Sequence, residues 1–485
     1  MKAAYRFILA LVLVLASCST VHPMTDANPN RFDRLQEIVQ GNRRGRIPGL
    51  AIGDRATRFL SLGLRERTRW QFRQSDSDLR RCISLKADET PYAQVVRLLC
   101  LSGLAGNQYL QGHYHEWAIE IRRWMSTISR ATARLSSDES TILREQMAEA
   151  FQRPVADFDG YMRTLKRMAR IMEQLPTFSP PAPSHRQIIQ LETYPETKYQ
   201  FVAKGVRNGH KTKQKYRWTI TLDPAFPAVR VDCAGTKFLM GLDTGSSLTT
   251  LSQETAKRLH VSSVPSPIRM AALRGGYTPA HIGTIPKLKI GESVFRNLPV
   301  AVLDRPPAIG DNIGLMTLLH LGAVTIDHAK RTMTILPEST ETTNGDLPMR
   351  LASMLTGNDP RLVFVAHHAG VALNVQLDTG NSDTPVGHKP LLEALPDLRE
   401  GMHIHREYGV SDQTSVSLNS TATVDTFDLT AGTWKIQFRH MKIYSNNSVP
   451  GNIAINTSER DFLRDGSVLS LNFRRGIMSI IAPRR

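Results

Sequence analysis

The sequence predicts an all-α helical domain followed by an all-β domain of two similar lobes. Apolar residues recur at helical spacing in several segments between residues 31 and 175, a pattern typical of amphipathic helices. Further along, residues 238–247 and 373–382 each carry an apolar run into the tripeptide Asp-Thr-Gly, which indicates a β-strand entering a tight turn. A Pro-rich stretch at 176–187 separates the two patterns and predicts a stiff linker.

Four segments have the clearest helical spacing in the domain predicted at 31–175: 92–103, 114–136, 140–151 and 158–175. The residues at 106–114, expected to connect two of these helices, are similar to tetratricopeptide-type helical hairpins, although the sequence shows no regular 34-residue period. The domain is therefore a helical bundle or a helical repeat. Its function is left open between docking a substrate or adaptor, covering the β domain, and acting as a spacer.

The Asp-Thr-Gly tripeptide belongs to a longer internal repeat. Residues 312–315, Asn-Ile-Gly-Leu, begin 69 residues after Asp243, and residues 452–455, Asn-Ile-Ala-Ile, begin 74 residues after Asp378. Two apolar strands follow each block at the same spacing. This indicates a duplicated unit of about 140 residues, a size suited to one folded lobe, and places the lobes at 188–340 and 341–485.

The duplicated unit resembles the pepsin and retropepsin superfamily of aspartic proteases, in which each lobe or subunit contributes one Asp-Thr-Gly loop. The resemblance runs from about residue 191 to the C-terminus. It implies a bilobal, all-β, single-chain pseudodimer, expected to be a monomer, with Asp243 and Asp378 in one active site. Dimerisation of two chains through their loops is the more complicated alternative. The family's apolar-apolar-Gly segment behind the catalytic loop corresponds to Ile313-Gly314 and to Ile453-Ala454, with Ala in the Gly place.

The chemistry of the family explains the need for two carboxylates. Hydrolysis of a peptide bond without a covalent intermediate requires one group to take a proton from water and another to give a proton to the substrate. Two neighbouring carboxyl groups do not both ionise readily, so they share one proton and can divide these roles. The catalytic residues predicted are Asp243 and Asp378.

The resemblance also implies roles for the residues that follow the two aspartates. The hydroxyls of Thr244 and Thr379 would lock the two loops together, and the glycines would allow close backbone approach. A side chain next to each glycine would hydrogen-bond to the outer carboxylate oxygen. The supporting residues are Thr244, Gly245, Ser246, Thr379 and Gly380, with Asn381 offering an amide in the second lobe.

A hairpin is predicted where the family carries its flap over the cleft. Gly275-Gly276 lies between two β-prone segments within residues 269–278. Tyr277 either contacts substrate or is an exposed residue of an ordinary hairpin. Residues 407–409, Glu-Tyr-Gly, form a second flap or an ordinary loop in the second lobe.

The N-terminus predicts export. Lys2 and Arg6 precede an apolar run at 7–16, and residues 15–18, Leu-Ala-Ser-Cys, resemble a bacterial lipobox. The resemblance implies a signal peptide at 1–17, acylation of Cys18, and a polar tether at 18–30. An apolar run of about ten residues is too short to span a bilayer comfortably, which disfavours an uncleaved anchor. Ser19 after the cysteine favours anchoring to the outer membrane, facing the periplasm.

The remaining cysteines and the charge narrow the options. If a disulfide forms, Cys82 with Cys100 is the expected pair because both lie in the helical region, which leaves Cys233 as a buried thiol. A net charge of +17, spread along the 485 residues, suits anionic envelope surfaces or acidic substrates better than a nucleic-acid site. No phosphate-loop, His-Glu-x-x-His or Cys-x-x-Cys motif is present, so neither a metal nor a cofactor is predicted.

Together these features predict a lipid-anchored endopeptidase that acts on proteins or peptides of the cell envelope. The alternative is a non-enzymatic lipoprotein that binds or scaffolds envelope proteins through a protease-like peptide-binding module. Both aspartates are present, which favours the enzyme.

Overall fold

The computed structural model describes most of the chain. The described residues are 29–47, 54–85, 90–151, 153–182, 185–193, 198–207, 210–221, 227–271, 277–305, 310–336, 345–381, 385–399, 405–410, 416–444, 452–461, 463 and 467–481. The predicted signal peptide and Cys18 lie outside these ranges. None of the helices in the described ranges is long and apolar enough to cross a membrane.

The N-terminal domain is helical, as predicted. Its helices are α1 (Pro29–Arg43), α2 (Arg55–Thr68), α3 (Phe72–Ser84), α4 (Pro91–Leu110), α5 (Tyr114–Arg134), α6 (Ser137–Ala150) and α7 (Val155–Gln174). Ser136 begins α6 with a capping box, in which its side chain and that of Glu139 each bond the other's backbone N–H. The prediction that residues 106–114 connect two helices was wrong, because α4 continues to Leu110 and leaves only 111–113 between α4 and α5.

The helical domain has its own apolar core. Trp117 and Trp124 on α5 are fully buried within it. The predicted disulfide is confirmed: Cys82 on α3 is bonded to Cys100 on α4, with their Cα atoms 6.3 Å apart. Cys233, in the first lobe, is a buried free thiol as expected.

The C-terminal region is β-rich and consists of two lobes. The first contains β1 (Gln187–Thr193), β4 (Pro227–Cys233), β5 (Thr236–Asp243), β6 (Thr249–Ser252), β7 (Ser263–Ala271), β8 (Tyr277–Ile290), β9 (Ser293–Leu303), β10 (Asn312–Gly314), β11 (Ala323–Asp327) and β12 (Thr332–Leu336). A separate hairpin of β2 (Lys198–Arg207) and β3 (His210–Thr221) is inserted after β1. Two short helices, α8 (Gln253–Arg258) and α9 (Leu315–Leu319), follow β6 and β10.

The second lobe repeats this order. It contains β13 (Leu347–Pro348), β14 (Arg350–Ala352), β15 (Arg361–His368), β16 (Val371–Leu377), β17 (Val386–His388), β18 (His405–Val410), β19 (Val416–Ala431), β20 (Trp434–Tyr444), β21 (Ile455–Thr457), β22 (Val468–Asn472) and β23 (Ile477–Ile481). The short helix α10 (Lys389–Ala394) follows β17, and a 3-10 turn (Glu459–Asp461) follows β21.

Each lobe is a closed six-stranded barrel with the same connectivity. The first barrel has the order β4-β5-β10-β6-β9-β8 and is closed by pairing of β4 with β8. The second has the order β15-β16-β21-β17-β20-β19 and is closed by pairing of β15 with β19. This one-to-one match of strands confirms the predicted fold class, a helical domain followed by a bilobal all-β pseudodimer.

A shared sheet joins the two lobes. Its strand order is β13-β23-β22-β11-β12-β1, and its centre is the antiparallel pair of β11 and β22, where Thr325 lies opposite Ser470. The second lobe contributes β13, β23 and β22 on one side of this pair, and the first lobe contributes the equivalent strands β1, β12 and β11 on the other. The arrangement fixes the barrels relative to each other through continuous backbone hydrogen bonds.

The strand register corrects one detail of the predicted repeat. In the first lobe, Asn312 pairs with Gly241, which lies two residues before Asp243. In the second lobe, the equivalent residue Gln376, two before Asp378, pairs with Asn456. The counterpart of 312–314 is therefore 456–458, and the alignment of 452–455 with the first-lobe block was wrong. The Asn-Ile pair at 452 is a local coincidence of sequence, because strand pairing and not spacing decides equivalence.

The corrected register also changes the residue in the glycine place. A Cβ on Gly314 would lie 2.7 Å from Thr249 N and would overlap the Leu248 carbonyl, so only glycine fits there. Its counterpart in the second lobe is Ser458 and not Ala454.

The helical domain packs directly on both lobes. Trp117 Nε1 donates to Thr356 O (3.0 Å) and Arg67 Nη1 donates to Leu355 O (2.9 Å), in the segment between β14 and β15. Its apolar core continues into the first lobe, where it includes Ala280 and Ile282 of β8.

Candidate active site

The two Asp-Thr-Gly loops meet between the lobes. Asp243 ends β5, and Asp378 directly follows β16, the equivalent strand. Their carboxyls lie close enough to perturb each other's pKa. A Cβ added to Gly245 would overlap the Asp378 carboxyl, and one added to Gly380 would lie 2.5 Å from Asp243 Oδ1. Each glycine thus leaves the space that the opposite carboxyl occupies.

Reciprocal hydrogen bonds hold the loops together. Thr244 N–H donates to Thr379 Oγ1 (3.1 Å), and Thr379 N–H donates to Thr244 Oγ1 (3.0 Å). Each hydroxyl in turn donates across the lobe boundary, Thr244 to Leu377 O (2.8 Å) and Thr379 to Leu242 O (2.7 Å). Both threonines are buried, so these four bonds are shielded from competition with water.

Main-chain groups bind the Asp243 carboxyl. The N–H groups of Gly245 and Ser246 both donate to Oδ1, each at 2.9 Å. The Ser246 hydroxyl instead donates to Leu248 O (2.9 Å). The prediction that the Ser246 side chain bonds the aspartate was therefore wrong: the turn brings its backbone amide to the carboxylate and directs its hydroxyl to Leu248 O, two residues further along the chain.

The Asp378 carboxyl has a different set of donors. Gly380 N–H donates to Oδ1 (3.0 Å), and Asn456 Nδ2 donates to Oδ2 (2.9 Å). The amide expected from Asn381 is thus supplied by Asn456, which is fully buried on β21. Asn381 contacts the loop through its backbone, where its N–H donates to Asp378 O (3.0 Å).

Sequence reasoning missed Asn456 because the repeat was aligned four residues too early. The available signal was an Asn shared by 312 and 456, each of which the structure pairs with the residue two positions before the aspartate. That equivalence depends on strand register.

Burial and mutual proximity perturb both carboxyl groups. The pKa of Asp243 is raised to about 8, first by burial and then by the charge of Asp378. Burial also raises the pKa of Asp378, while the Asn456 hydrogen bond and the positive charge of Arg361 oppose that rise. Two buried carboxyls that interact this closely favour a state that holds one proton between them.

A charged network lies behind Asp378. Arg361 Nη1 donates to Gln376 Oε1 (2.8 Å), and its Nη2 pairs with Asp359 Oδ1 (3.0 Å). His388, at the end of β17, is fully buried, and burial lowers its pKa to about 3, so the imidazole is neutral. Arg361 therefore supplies a fixed positive charge on the second-lobe side.

Equivalent hairpins extend from the two barrels. Strand β7 pairs with β8, where Ala271 lies opposite Tyr277, and β18 pairs with β19. The hairpin turns, including Gly275-Gly276, and the side chains of Tyr277 and of residues 407–409 lie outside the described residues. The hairpin predicted at 269–278 is present, and residues 407–409, expected in a second flap or an ordinary loop, lie within β18, which pairs with β19 as β7 pairs with β8.

The arrangement has the parts needed for acid-base chemistry on a bound carbonyl group. Within the described ranges, no group of three or more His, Cys, Asp or Glu side chains could hold a metal ion. The loops instead bring together two carboxyls with unequal donors, held at fixed separation by the threonine bonds.

Comparison with known proteins agrees with this site for the first lobe. Residues 229–322 match the family model described as aspartyl protease, a stretch that includes Asp243, the β7–β8 hairpin and Gly314. No curated protein matches the chain. The second lobe lies outside the match, but its barrel has the same connectivity as the first. A protease-like β domain is the assignment that the sequence match and the fold support together.

Proposed function

We propose that the chain is an aspartic endopeptidase in which Asp243 and Asp378 activate water against a peptide bond. The observation that carries the proposal is the close approach of the two buried carboxyls, each delivered by an equivalent loop of an equivalent barrel. Both glycines of these loops are packed against the opposite carboxyl. A structural pair of turns would not need two buried carboxyls in contact.

The reaction follows from one proton shared by the pair. The ionised carboxyl takes a proton from water while the water oxygen attacks the carbonyl carbon of the substrate. The protonated carboxyl gives its proton to the carbonyl oxygen. In the second step the newly protonated carboxyl gives its proton to the leaving nitrogen. The other carboxyl recovers a proton from the gem-diol as the C–N bond breaks. The pair returns to its starting protonation state, and the threonine bonds keep its geometry through the cycle.

The decisive experiment replaces each aspartate by the isosteric amide. Asp243→Asn and Asp378→Asn should each reduce kcat/KM on an unstructured protein or peptide library by more than about a thousandfold, because each removes half of the acid and base pair. The double variant should be no worse than either single variant. Near wild-type cleavage by either purified variant, with matching circular dichroism, would reject the dyad.

We further propose that the enzyme is a lipid-anchored monomer facing the periplasm from the outer membrane, with envelope proteins or peptides as substrates. The support is the sequence of residues 1–19, which resembles a lipoprotein signal ending at Cys18. In Cys18→Ala, acyl labelling and stable fractionation with the outer membrane should be lost while peptidase activity is kept. Unchanged labelling would contradict the anchor.

The helical domain, in this proposal, supports the first flap hairpin rather than acting as a spacer. Helix α7 lies against β7, and the buried residues Ala280 and Ile282 belong to the core of the helical domain. Removing the domain would expose this apolar surface, so its role is best tested in the full chain by point variants. Docking of an adaptor on the outer helical face is compatible with this role.

The competing function is peptide binding without hydrolysis. It is favoured by one departure in the second lobe, where Ser458 stands in the place of Gly314. Under that proposal the Asp→Asn variants bind peptides as the wild type does, and the wild type releases no new amino termini. Release of new amino termini by the wild type would exclude it.

A further inference from the structure

The two carboxyls are not equivalent in their donors. Both donors to Asp243 reach the same oxygen, Oδ1, and both are main-chain N–H groups. The donors to Asp378 reach different oxygens, Gly380 on Oδ1 and Asn456 on Oδ2. The loops are otherwise matched by the reciprocal threonine bonds.

This difference decides which carboxyl can hold the proton. Asp243 can carry a hydrogen on Oδ2 while Oδ1 keeps both of its bonds. A hydrogen on either oxygen of Asp378 would reduce the acceptor capacity of an oxygen that already receives an N–H group. Donors on both oxygens therefore favour the ionised form of Asp378.

We propose that Asn456 is a positioning residue that fixes the shared proton on Asp243, so that Asp378 is the general base and Asp243 the general acid. This inference rests on the proposed function and assigns the two roles within it. The raised pKa of Asp243 agrees with the assignment. Asn456 contacts Asp378 and not the substrate, so it acts through that carboxyl.

The surroundings of Asn456 argue against a purely structural role. Its side chain is fully buried on β21, opposite Gln376 and Val386. Within the described part of the chain, Asn456 Oδ1 has no hydrogen-bond partner. A buried amide with an unbonded oxygen is less favourable for folding than an aliphatic side chain of similar size. The bond to Asp378 is the interaction that accounts for an amide at this position.

Three other ionisable side chains lie on or next to the strands around Asn456. Arg361 on β15 is paired with Asp359, and His388 at the end of β17 is neutral. Asp461, after β21, accepts from Thr457 Oγ1 (2.8 Å), and burial raises its pKa to about 6. Because the ionisation of Asp461 could also change activity near pH 6, the test must observe individual carboxyls as well as activity.

The test compares Asn456→Leu with Asn312→Leu, its register-matched counterpart in the first lobe. Removing the donor to ionised Asp378 should raise the first pKa of the pair, so the acidic limb of kcat/KM against pH should move up by about one pH unit. On that limb the rate should fall about tenfold, while the basic limb moves much less. The unfolding midpoint at pH 3, where both carboxyls are protonated, should stay the same or rise.

Carbon-13 titration of the labelled Asp carboxyls gives a readout that does not need turnover. In the wild type, Asp378 should lose its proton at lower pH than Asp243, and Asn456→Leu should narrow or reverse that order. If the wild type cleaves no peptide, the proposed function fails while this titration still decides the role of Asn456. An unchanged order, or an equal change in Asn312→Leu, would overturn the inference. If Asn456→Leu does not fold, Asn456→Ala replaces it without added bulk.

Discussion

The threonine bonds between the two Asp-Thr-Gly loops can be removed with almost no change of shape. Thr244→Val keeps the branched side chain but removes a hydroxyl that accepts from Thr379 N–H and donates to Leu377 O. Both partners are buried, so water cannot replace the lost bonds. At about 1–3 kcal/mol for each buried group left unpaired, the free energy of unfolding should fall by roughly 2–6 kcal/mol.

Thr244→Ser is the matched control. It keeps the hydroxyl and loses one methyl group, which should cost about 1 kcal/mol. Equilibrium denaturation with urea, monitored by intrinsic fluorescence and by circular dichroism, measures the difference between Val and Ser. The same samples give kcat/KM on a peptide substrate, where a displacement of the aspartates of about 1 Å should lower the rate by about a hundredfold.

A second pair of variants tests whether the loops act as one unit. Thr379→Val removes the symmetry-related bonds to Thr244 N–H and Leu242 O. Once the bonds of one threonine are lost and the loops have separated, removing the other hydroxyl should have a smaller effect. The loss in free energy of unfolding of the double Val variant should therefore be smaller than the sum of the two single losses by more than about 0.5 kcal/mol. Equal stability and equal activity of Thr244→Val and Thr244→Ser would refute the reasoning, since the hydroxyl would then contribute nothing.

Two further predictions concern the helical interface and the alkaline limb. Gly106→Ala should destabilise the protein by about 1–3 kcal/mol, because the new Cβ would lie 2.8 Å from Gly357 N and overlap the Leu355 carbonyl. Gly160→Ala on α7, whose Cβ would meet only Arg163 Nη2 at 3.9 Å, should instead stabilise the protein by about 0.5–1 kcal/mol. Melting temperatures of the two variants that shift in the same direction would contradict the tight packing at Gly106. Peptidase activity should fall as pH rises above about 8, because Asp243 then loses the proton that it gives to the substrate, and a kcat/KM profile that stays level to pH 10 would exclude Asp243 as the acid.

Much of the fold was predictable because many of its helices and strands follow from short-range sequence patterns. The helical spacing of 158–175 indicates one buried face, and α7 forms there, whereas the more continuous apolar segment 92–103 forms part of α4, which is buried on all sides from Leu98 to Asn107. The repeated Asp-Thr-Gly reports a strand that ends in a turn, and β5 and β16 do so. Residues 106–110 were predicted as part of a connection, but Gly106 lies in the helix where α4 touches Leu355, a tertiary requirement that sequence spacing does not reveal.

The errors at the site have a different physical origin. Whether Ser246 binds Asp243 through its hydroxyl or through its backbone depends on the turn geometry, and both fit the same letters. The donor to Asp378 comes from Asn456, 78 residues away along the chain, and its identity follows from the pairing of β16 with β21. Sequence patterns identify the residues at which the chain turns, whereas the hydrogen bonds that neighbouring strands donate to the aspartates depend on strand register.

Duplication explains how two carboxyls come to face each other, but a perfectly symmetric pair would have no reason to place its proton on one member. Division into acid and base requires the lobes to differ near the carboxyls, and here the difference is the hydrogen bond that the Asn456 amide donates to Asp378 Oδ2. Thr244 and Thr379 preserve the symmetry that sets distance, while Asn456 breaks the symmetry of charge. It follows that loss of this bond in Asn456→Leu should weaken the division of roles between the two aspartates, while the threonine bonds keep their separation unchanged.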